Sequence, residues 1–244
     1  MHLEILNSSK ETLDYEFHGD PSDTSLLAII GHGVTGNKDR PWAVGLAEAL
    51  EKAGFNALRF SFSGNGKSGG KFEDSTITKG VKDLRAIVDA AEEEGYHRIC
   101  YIGHSMGAAV GVLATAKDER IELLVSLAGM VHTKQFVERE FGGQKPGKGC
   151  MWDDKNCPLS QTFVDDMNKI GNVLSKTEKI EVPWLIVHGD ADDVVPVEEG
   201  QEIYASAYEP KELVILPGVD HVFSGEGLAQ MTEAVLSWLK GHSN

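Results

Sequence analysis

A serine hydroxyl attacks an acyl carbon only where the backbone presents it and a neighbouring base takes its proton. Gly103-His104-Ser105-Met106-Gly107 has the G-x-S-x-G pattern. It follows the apolar run Arg98 to Ile102 and opens a stretch rich in Ala, Gly and Val from Gly107 to Lys117. A strand that turns sharply into a helix strains the residue at the turn, and only small neighbours fit beside it. The two glycines meet that need. The first N–H groups of the following helix are then available to a developing oxyanion.

Nine histidines compete for the role of base. A partner for Ser105 must lie on a loop at the carboxyl edge of the sheet. His221, in Gly218-Val219-Asp220-His221, follows the apolar run Leu213 to Leu216 and precedes the last helical pattern. His188 ends another run, and its His-Gly pair is expected to make the turn. A base needs an acid to fix its tautomer and stabilise the imidazolium. His188-Gly189-Asp190-Ala191-Asp192-Asp193 follows the run Val182 to Val187 and offers three carboxylates at the same edge. His32, in Gly31-His32-Gly33-Val34-Thr35-Gly36, is expected to hydrogen-bond within its loop rather than serve as a second base.

Positioning these groups requires a sheet. Leu3 to Leu6 and Leu13 to Phe17 alternate apolar and polar residues, as half-buried antiparallel strands do. Ser25 to Ile30, Ala57 to Phe62, Arg98 to Ile102, Ile121 to Leu127, Val182 to Val187 and Leu213 to Leu216 are short continuous apolar runs. Such runs suit parallel strands covered on both faces. Helical patterns over Pro41–Ala53, Thr78–Glu94, Gly107–Lys117, Val197–Ala207 and Leu228–Lys240 alternate with them. The alternation predicts an α/β protein with a mostly parallel, doubly wound sheet and helices on both faces. About fifty residues between Gly129 and Lys179 lack a clear strand, and long connections of that kind serve as lids or binding elements. Residues 130–179 are therefore expected to form an inserted cap. Residues 1–129 and 180–244 then form one core domain.

Composition narrows the function class. The chain has 244 residues, 38 Asp+Glu against 23 Lys+Arg, and a net charge of −15. That charge repels phosphate backbones and anionic lipid, which argues against nucleic-acid and membrane-surface partners. No run approaches 18 apolar residues, the length of a membrane span. Met1-His2-Leu3-Glu4 lacks the basic and apolar regions of a signal peptide. Three cysteines are too few for a disulfide framework and suit a reducing compartment. A cytoplasmic protein acting on a small-molecule substrate is expected.

The motifs resemble those of α/β-hydrolase-fold serine hydrolases, and especially of feruloyl/cinnamoyl esterase-like carboxylesterases. The resemblance covers nearly the whole chain. Its marks are Gly31 to Gly36, Arg59 to Glu73, Gly103 to Gly107, His188 to Asp192 and Asp220-His221-Val222-Phe223. The order Ser, Asp, His along the chain is that fold's order. In similar enzymes the acid lies four residues after the His of the His-Gly pair, which selects Asp192, with Asp193 the alternative. The resemblance thus implies Ser105 as nucleophile, His221 as base and Asp192 as orienting acid. The fold also assigns the oxyanion donors to the residue after the nucleophile and to the loop after an early strand, here the backbone N–H groups of Met106 and Val34. Such a site cleaves carboxylic esters through an acyl-enzyme without a metal or other cofactor. Thioester, amide or C–C bonds are alternative targets for the same triad, and a non-catalytic ligand-binding module is a third reading. Two departures bear on substrate. Met106 stands where the cinnamoyl esterases usually have Gln, and Ser61 to Gly66 replaces an Asp-x-x-Gly-His-Gly loop.

Gly66-Lys67-Ser68 ends like a phosphate-binding loop, but Ser61 stands where that motif needs Gly and no helix is expected to open at Ser68. Cys150 and Cys157 are spaced unlike a common zinc knuckle and are expected to be reduced thiols. Cys100, in a core strand, is expected to be inert. Phe136, Phe141, Met151, Trp152 and Phe163 give the cap its apolar side chains. Of these, Trp152 and Phe163 are the candidates to line an acyl or aryl pocket.

Overall fold

In the computed structural model, which describes residues 4–242, each continuous apolar run becomes a strand. Strand β1 spans Tyr15–His18, β2 Leu27–Gly31, β3 Asn56–Phe60, β4 Ile99–His104, β5 Ile121–Leu127, β6 Trp184–Gly189 and β7 Lys211–Leu216. Among the described residues these seven form one sheet in the order β1-β3-β2-β4-β5-β6-β7. β1 runs antiparallel to β3, and every other neighbouring pair is parallel. Every position of β2, β3, β4 and β6 is buried, as their continuous apolar character requires.

Helix α1 (Pro41–Lys52) starts with proline in its first turn, where a missing N–H costs nothing. Helix α2 (Ile77–Glu93) is capped by Thr76, whose side chain accepts the Lys79 N–H at 3.1 Å. Helix α3 (Met106–Thr115) is built of small and branched apolar residues and is buried along almost its whole length. After β5 come α4 (Thr133–Phe141), α5 (Gln161–Ile170) and a single turn, α6 (Leu174–Thr177); α7 (Val197–Ser206) and α8 (Glu226–His242) follow β6 and β7. The pleat sorts the core into two layers. Leu27 and Ile29 face the apolar side chains of α2 and α3, whereas Ala28 and Ile30 face those of α1 and α8.

The amino-terminal runs fold differently from their alternation. Leu3 lies outside the described residues, and Leu6 makes a single antiparallel bridge to Thr12. Leu13 is buried and donates its N–H to Ile5 O at 2.8 Å. It packs into the core layer of α2, and extended pairing with β3 begins two residues later, at Tyr15.

Residues 130–179, where the sequence showed only the lack of a strand, contain α4, α5 and α6 joined by irregular loops. Buried Glu199, on α7, accepts the N–H groups of Val131 at 2.6 Å and His132 at 3.0 Å. Thr133 Oγ1 donates to Met167 O at 2.7 Å. Phe136, Phe141, Met151 and Phe163 join the core layer of α2 and α3. No helix among the described residues is long and apolar enough to cross a membrane.

Candidate active site

Ser105 is the single residue between β4 and α3, with φ 53° and ψ −118°. A non-glycine residue in that region is strained, and the surrounding packing holds it there. A Cβ on Gly103 would lie 2.4 Å from Gly107 O, and one on Gly107 would lie 2.6 Å from His32 O. Both glycines are therefore required by close backbone approach. The Ser105 N–H donates to Leu127 O at 2.9 Å, fixing the turn against β5.

His221 stands on the loop between β7 and α8. Its Nδ1 lies 2.8 Å from Asp192 Oδ2. The Asp192 side chain is fully buried, and its other oxygen, Oδ1, accepts the N–H groups of Val194 at 2.9 Å and Val195 at 2.8 Å. Burial alone would push the carboxyl up, but hydrogen bonds from His188, His221 and the Val195 N–H hold it well below the usual carboxylate range. Asp192 is thus ionised, His221 Nδ1 donates to it, and Nε2 is left to exchange a proton. Of the competing carboxylates, Asp190 accepts the Gly218 N–H at 2.6 Å and Asp193 is exposed.

The other histidines of these motifs are structural. His32 Nε2 accepts the Phe62 N–H at 3.0 Å, so Nδ1 carries the proton and donates to Gly33 O at 2.8 Å. Burial pushes its imidazole down to about 4. His104 donates from Nε2 to the backbone oxygen of His221 at 2.8 Å. Its ring lies 4.8 Å from Trp42 and 4.7 Å from His221 between centroids, and burial pushes it down to about 3. His188 Nε2 lies 2.9 Å from Val195 O and 3.2 Å from Asp192 Oδ2. Both neighbours are acceptors, so Nε2 carries the proton, while Nδ1 is buried without a partner.

Sequence reasoning gave no supporting role to His104 and assigned His188 only to a turn. The signal for each was present: His104 is the second residue of G-x-S-x-G, and His188 lies one helical turn's spacing before Asp192.

Met106 opens α3, and Val34 lies in the loop after β2. Neither N–H meets an acceptor among the described residues. Gly33 packs onto the nucleophile, since a Cβ there would lie 2.8 Å from Ser105 Cβ and 3.3 Å from Oγ. Ser105, His221 and Val34 share a cavity of about 280 Å³ with Trp42 and Trp152. Trp152 is 43% exposed, donates from Nε1 to Glu140 at 3.0 Å and packs its ring 5.0 Å from Phe141. Phe163 is 3% exposed and lines a separate narrow crevice beside Val34, Met106 and Asn65. The Ser61 to Ser68 segment is a closed turn in which Ser68 Oγ donates to Ser61 O at 2.6 Å. Cys100, Cys150 and Cys157 are free thiols, and burial raises the Cys100 thiol far above its ordinary value. An ionised acid, an oriented imidazole and a strained serine opening on one cavity are the parts of nucleophilic acyl transfer.

The profile of the family described as Hydrolase_4, serine aminopeptidase S33, matches residues 26–146 and 155–227. Est1E from Butyrivibrio proteoclasticus, solved with ferulic acid bound, is 30% identical, covers 97% of each chain and superposes with a TM-score of 0.87. The Pyrococcus furiosus esterase Pf2001 is 25% identical over 99% of this chain and 92% of its own, with a TM-score of 0.77. The protein YfhR of Escherichia coli K12 is 25% identical over 205 residues, 83% of this chain. The chain spans 65% of the length of that relative.

Proposed function

The chain belongs to the serine aminopeptidase S33 family of α/β-hydrolases, and from that premise we propose that it hydrolyses carboxylic esters of small acyl or aryl acids. The observation that carries the reading is the hydrogen bond of 2.8 Å between His221 Nδ1 and buried, ionised Asp192. It leaves His221 Nε2 as the proton-exchanging nitrogen beside the cavity that Ser105 also lines.

Ser105 Oγ attacks the acyl carbon as His221 Nε2 takes its proton. The N–H groups of Val34 and Met106 stabilise the tetrahedral oxyanion. Collapse breaks the bond to the alcohol, which leaves with the proton from His221. Water then gives a proton to His221 and attacks the acyl-enzyme, and collapse of the second tetrahedral intermediate returns that proton to Ser105 Oγ as the acid leaves. Asp192 stays ionised throughout and stabilises the imidazolium. Residues 130–179 serve as the cap, with Trp152 as a cavity wall. Likeness to an esterase solved with ferulic acid supports an acyl pocket open to aryl acids.

A second reading has a specific observation behind it: the matched family is described by an aminopeptidase, so amide bonds are an alternative target. A fluorophosphonate probe and matched 4-nitrophenyl ester, thioester and anilide substrates, each with Ser105→Ala as control, test both. Labelling of Ser105 with ester turnover carries the first reading. Preferential anilide turnover carries the second, and an unlabelled Ser105 in folded protein overturns both.

A further inference from the structure

Arg40 is the one permanently charged side chain lining the Ser105 cavity, whose remaining walls are apolar, hydroxyl or imidazole groups and glycines. It closes the loop after β2, immediately before α1 opens at Pro41. Nη2 donates to Thr35 O at 2.9 Å, which anchors the guanidinium on the cavity rim and leaves its other donors for a ligand. Among the described residues Arg59, Arg98, Arg120 and Arg139 each pair with a carboxylate, whereas Arg40 and Arg85 form no such pair, and of these two only Arg40 lines the cavity. Carboxylates outnumber cations in this chain, 38 Asp+Glu against 23 Lys+Arg, yet none of them lines this cavity beside Arg40. Asp154, two residues after Trp152, feels the charge at a distance. Its carboxyl is lowered chiefly by the Asn156 N–H and only in small part by Arg40.

We infer that Arg40 is a recognition site for a carboxylate on the substrate, so that the preferred esters are monoesters carrying a second, anionic end. The inference rests on the ester-hydrolase reading. A guanidinium fork matches a planar carboxylate through two parallel hydrogen bonds, and apolar walls such as Trp42 and Val222 strengthen that attraction over its value in open water. The acidic surface elsewhere repels anions, so the preference is local to this rim.

Two matched substrate pairs test it. In 4-nitrophenyl hydrogen glutarate a carboxylate replaces the terminal methyl of 4-nitrophenyl pentanoate, on the acyl side. In 4-carboxyphenyl acetate a carboxylate is added to phenyl acetate, on the alcohol side. The readout is the charged-to-neutral ratio of kcat/KM, which cancels any common loss from loosening the Thr35 loop. Arg40→Gln should lower that ratio by about tenfold in one pair, with Arg40→Lys intermediate. High salt should shrink the wild-type ratio. A ratio unchanged by Arg40→Gln in both pairs overturns the inference while leaving the esterase reading standing. If no ester is cleaved, the esterase reading has failed, and titration of glutarate and benzoate into both proteins decides the anion site. At least about tenfold weaker binding in Arg40→Gln sustains it, and equal binding overturns it.

Discussion

His188 Nε2 lies 3.2 Å from the same Asp192 oxygen that meets His221 Nδ1 at 2.8 Å. One carboxylate oxygen therefore serves two imidazoles, one facing the cavity and one sealed inside. The inner donor fixes that oxygen where it meets His221. His188→Leu should lower kcat by about tenfold, because Asp192 then loses a donor that orients it. His188→Gln, which keeps an N–H donor, should recover part of the rate. An unchanged kcat in folded His188→Leu would restrict His188 to packing.

Ser105→Ala and His221→Ala should each remove about 10⁴–10⁶ of kcat on an activated ester while thermal unfolding stays close to wild type. The double variant should lose no more than the worse single one, since the two groups act as a unit. A loss under about tenfold in both single variants would sink the mechanism.

A methyl group on Gly33 would sit 2.8 Å from Ser105 Cβ. Gly33→Ala should therefore displace the nucleophile, cutting kcat by about 10²-fold. Stopped-flow acylation and urea unfolding measured on the same protein separate this from a folding defect. Wild-type acylation in the variant would show that the Gly33 loop yields freely.

Trp152 and Phe163 should respond differently to truncation. Phe163 is 3% exposed, so Phe163→Ala should cost about 3–5 kcal/mol of stability. Trp152 is 43% exposed and forms a cavity wall, so Trp152→Ala should cost much less and change the ranking of acetate, butyrate and octanoate esters. An unchanged ranking would remove Trp152 from the acyl pocket.

Buried His32 and His104 have imidazoles pushed down from the ordinary 6.5 to about 4 and about 3. Between those values the unfolded chain binds protons that the folded chain refuses. Their contribution is fully present above pH 6.5 and is lost as pH falls. Each proton is worth about 1.4 kcal/mol per pH unit. Urea unfolding at a series of pH values should show a slope near two protons between pH 6 and 4, reduced by one in a folded His104→Gln variant. A flat profile would mean that the two rings are charged in the folded protein.

The sheet and the serine turn were legible because their causes are local. Continuous apolar runs mark strands covered on both faces, and Gly103 and Gly107 mark a turn that admits no Cβ. Around Asp192 legibility ended. Three carboxylates within four residues look alike in sequence, and the turn alone aims Asp192 inward by seating its Oδ1 on the Val194 and Val195 N–H groups. Family resemblance had selected it without that reason. Trp152 and Phe163 are both cap aromatics in sequence, and only the packing of α4 and α5 separates a cavity wall from a core residue. Arg40 was hidden because an arginine before a proline has no pattern of its own; its meaning comes from its place on the rim of the Ser105 cavity.

The segment that carries Trp152 closes its backbone hydrogen bonds on itself. Gly147 N–H meets Leu159 O, Leu159 N–H meets Gly149 O, and Met151 N–H meets Cys157 O. Its tip can therefore be rewritten as a cassette, exchanging side chains above Ser105 while the sheet that holds Asp192 and His221 is left untouched. Selection, natural or in a library confined to the exposed residues 152–156, has a short tract in which to retune substrate shape at little risk to folding.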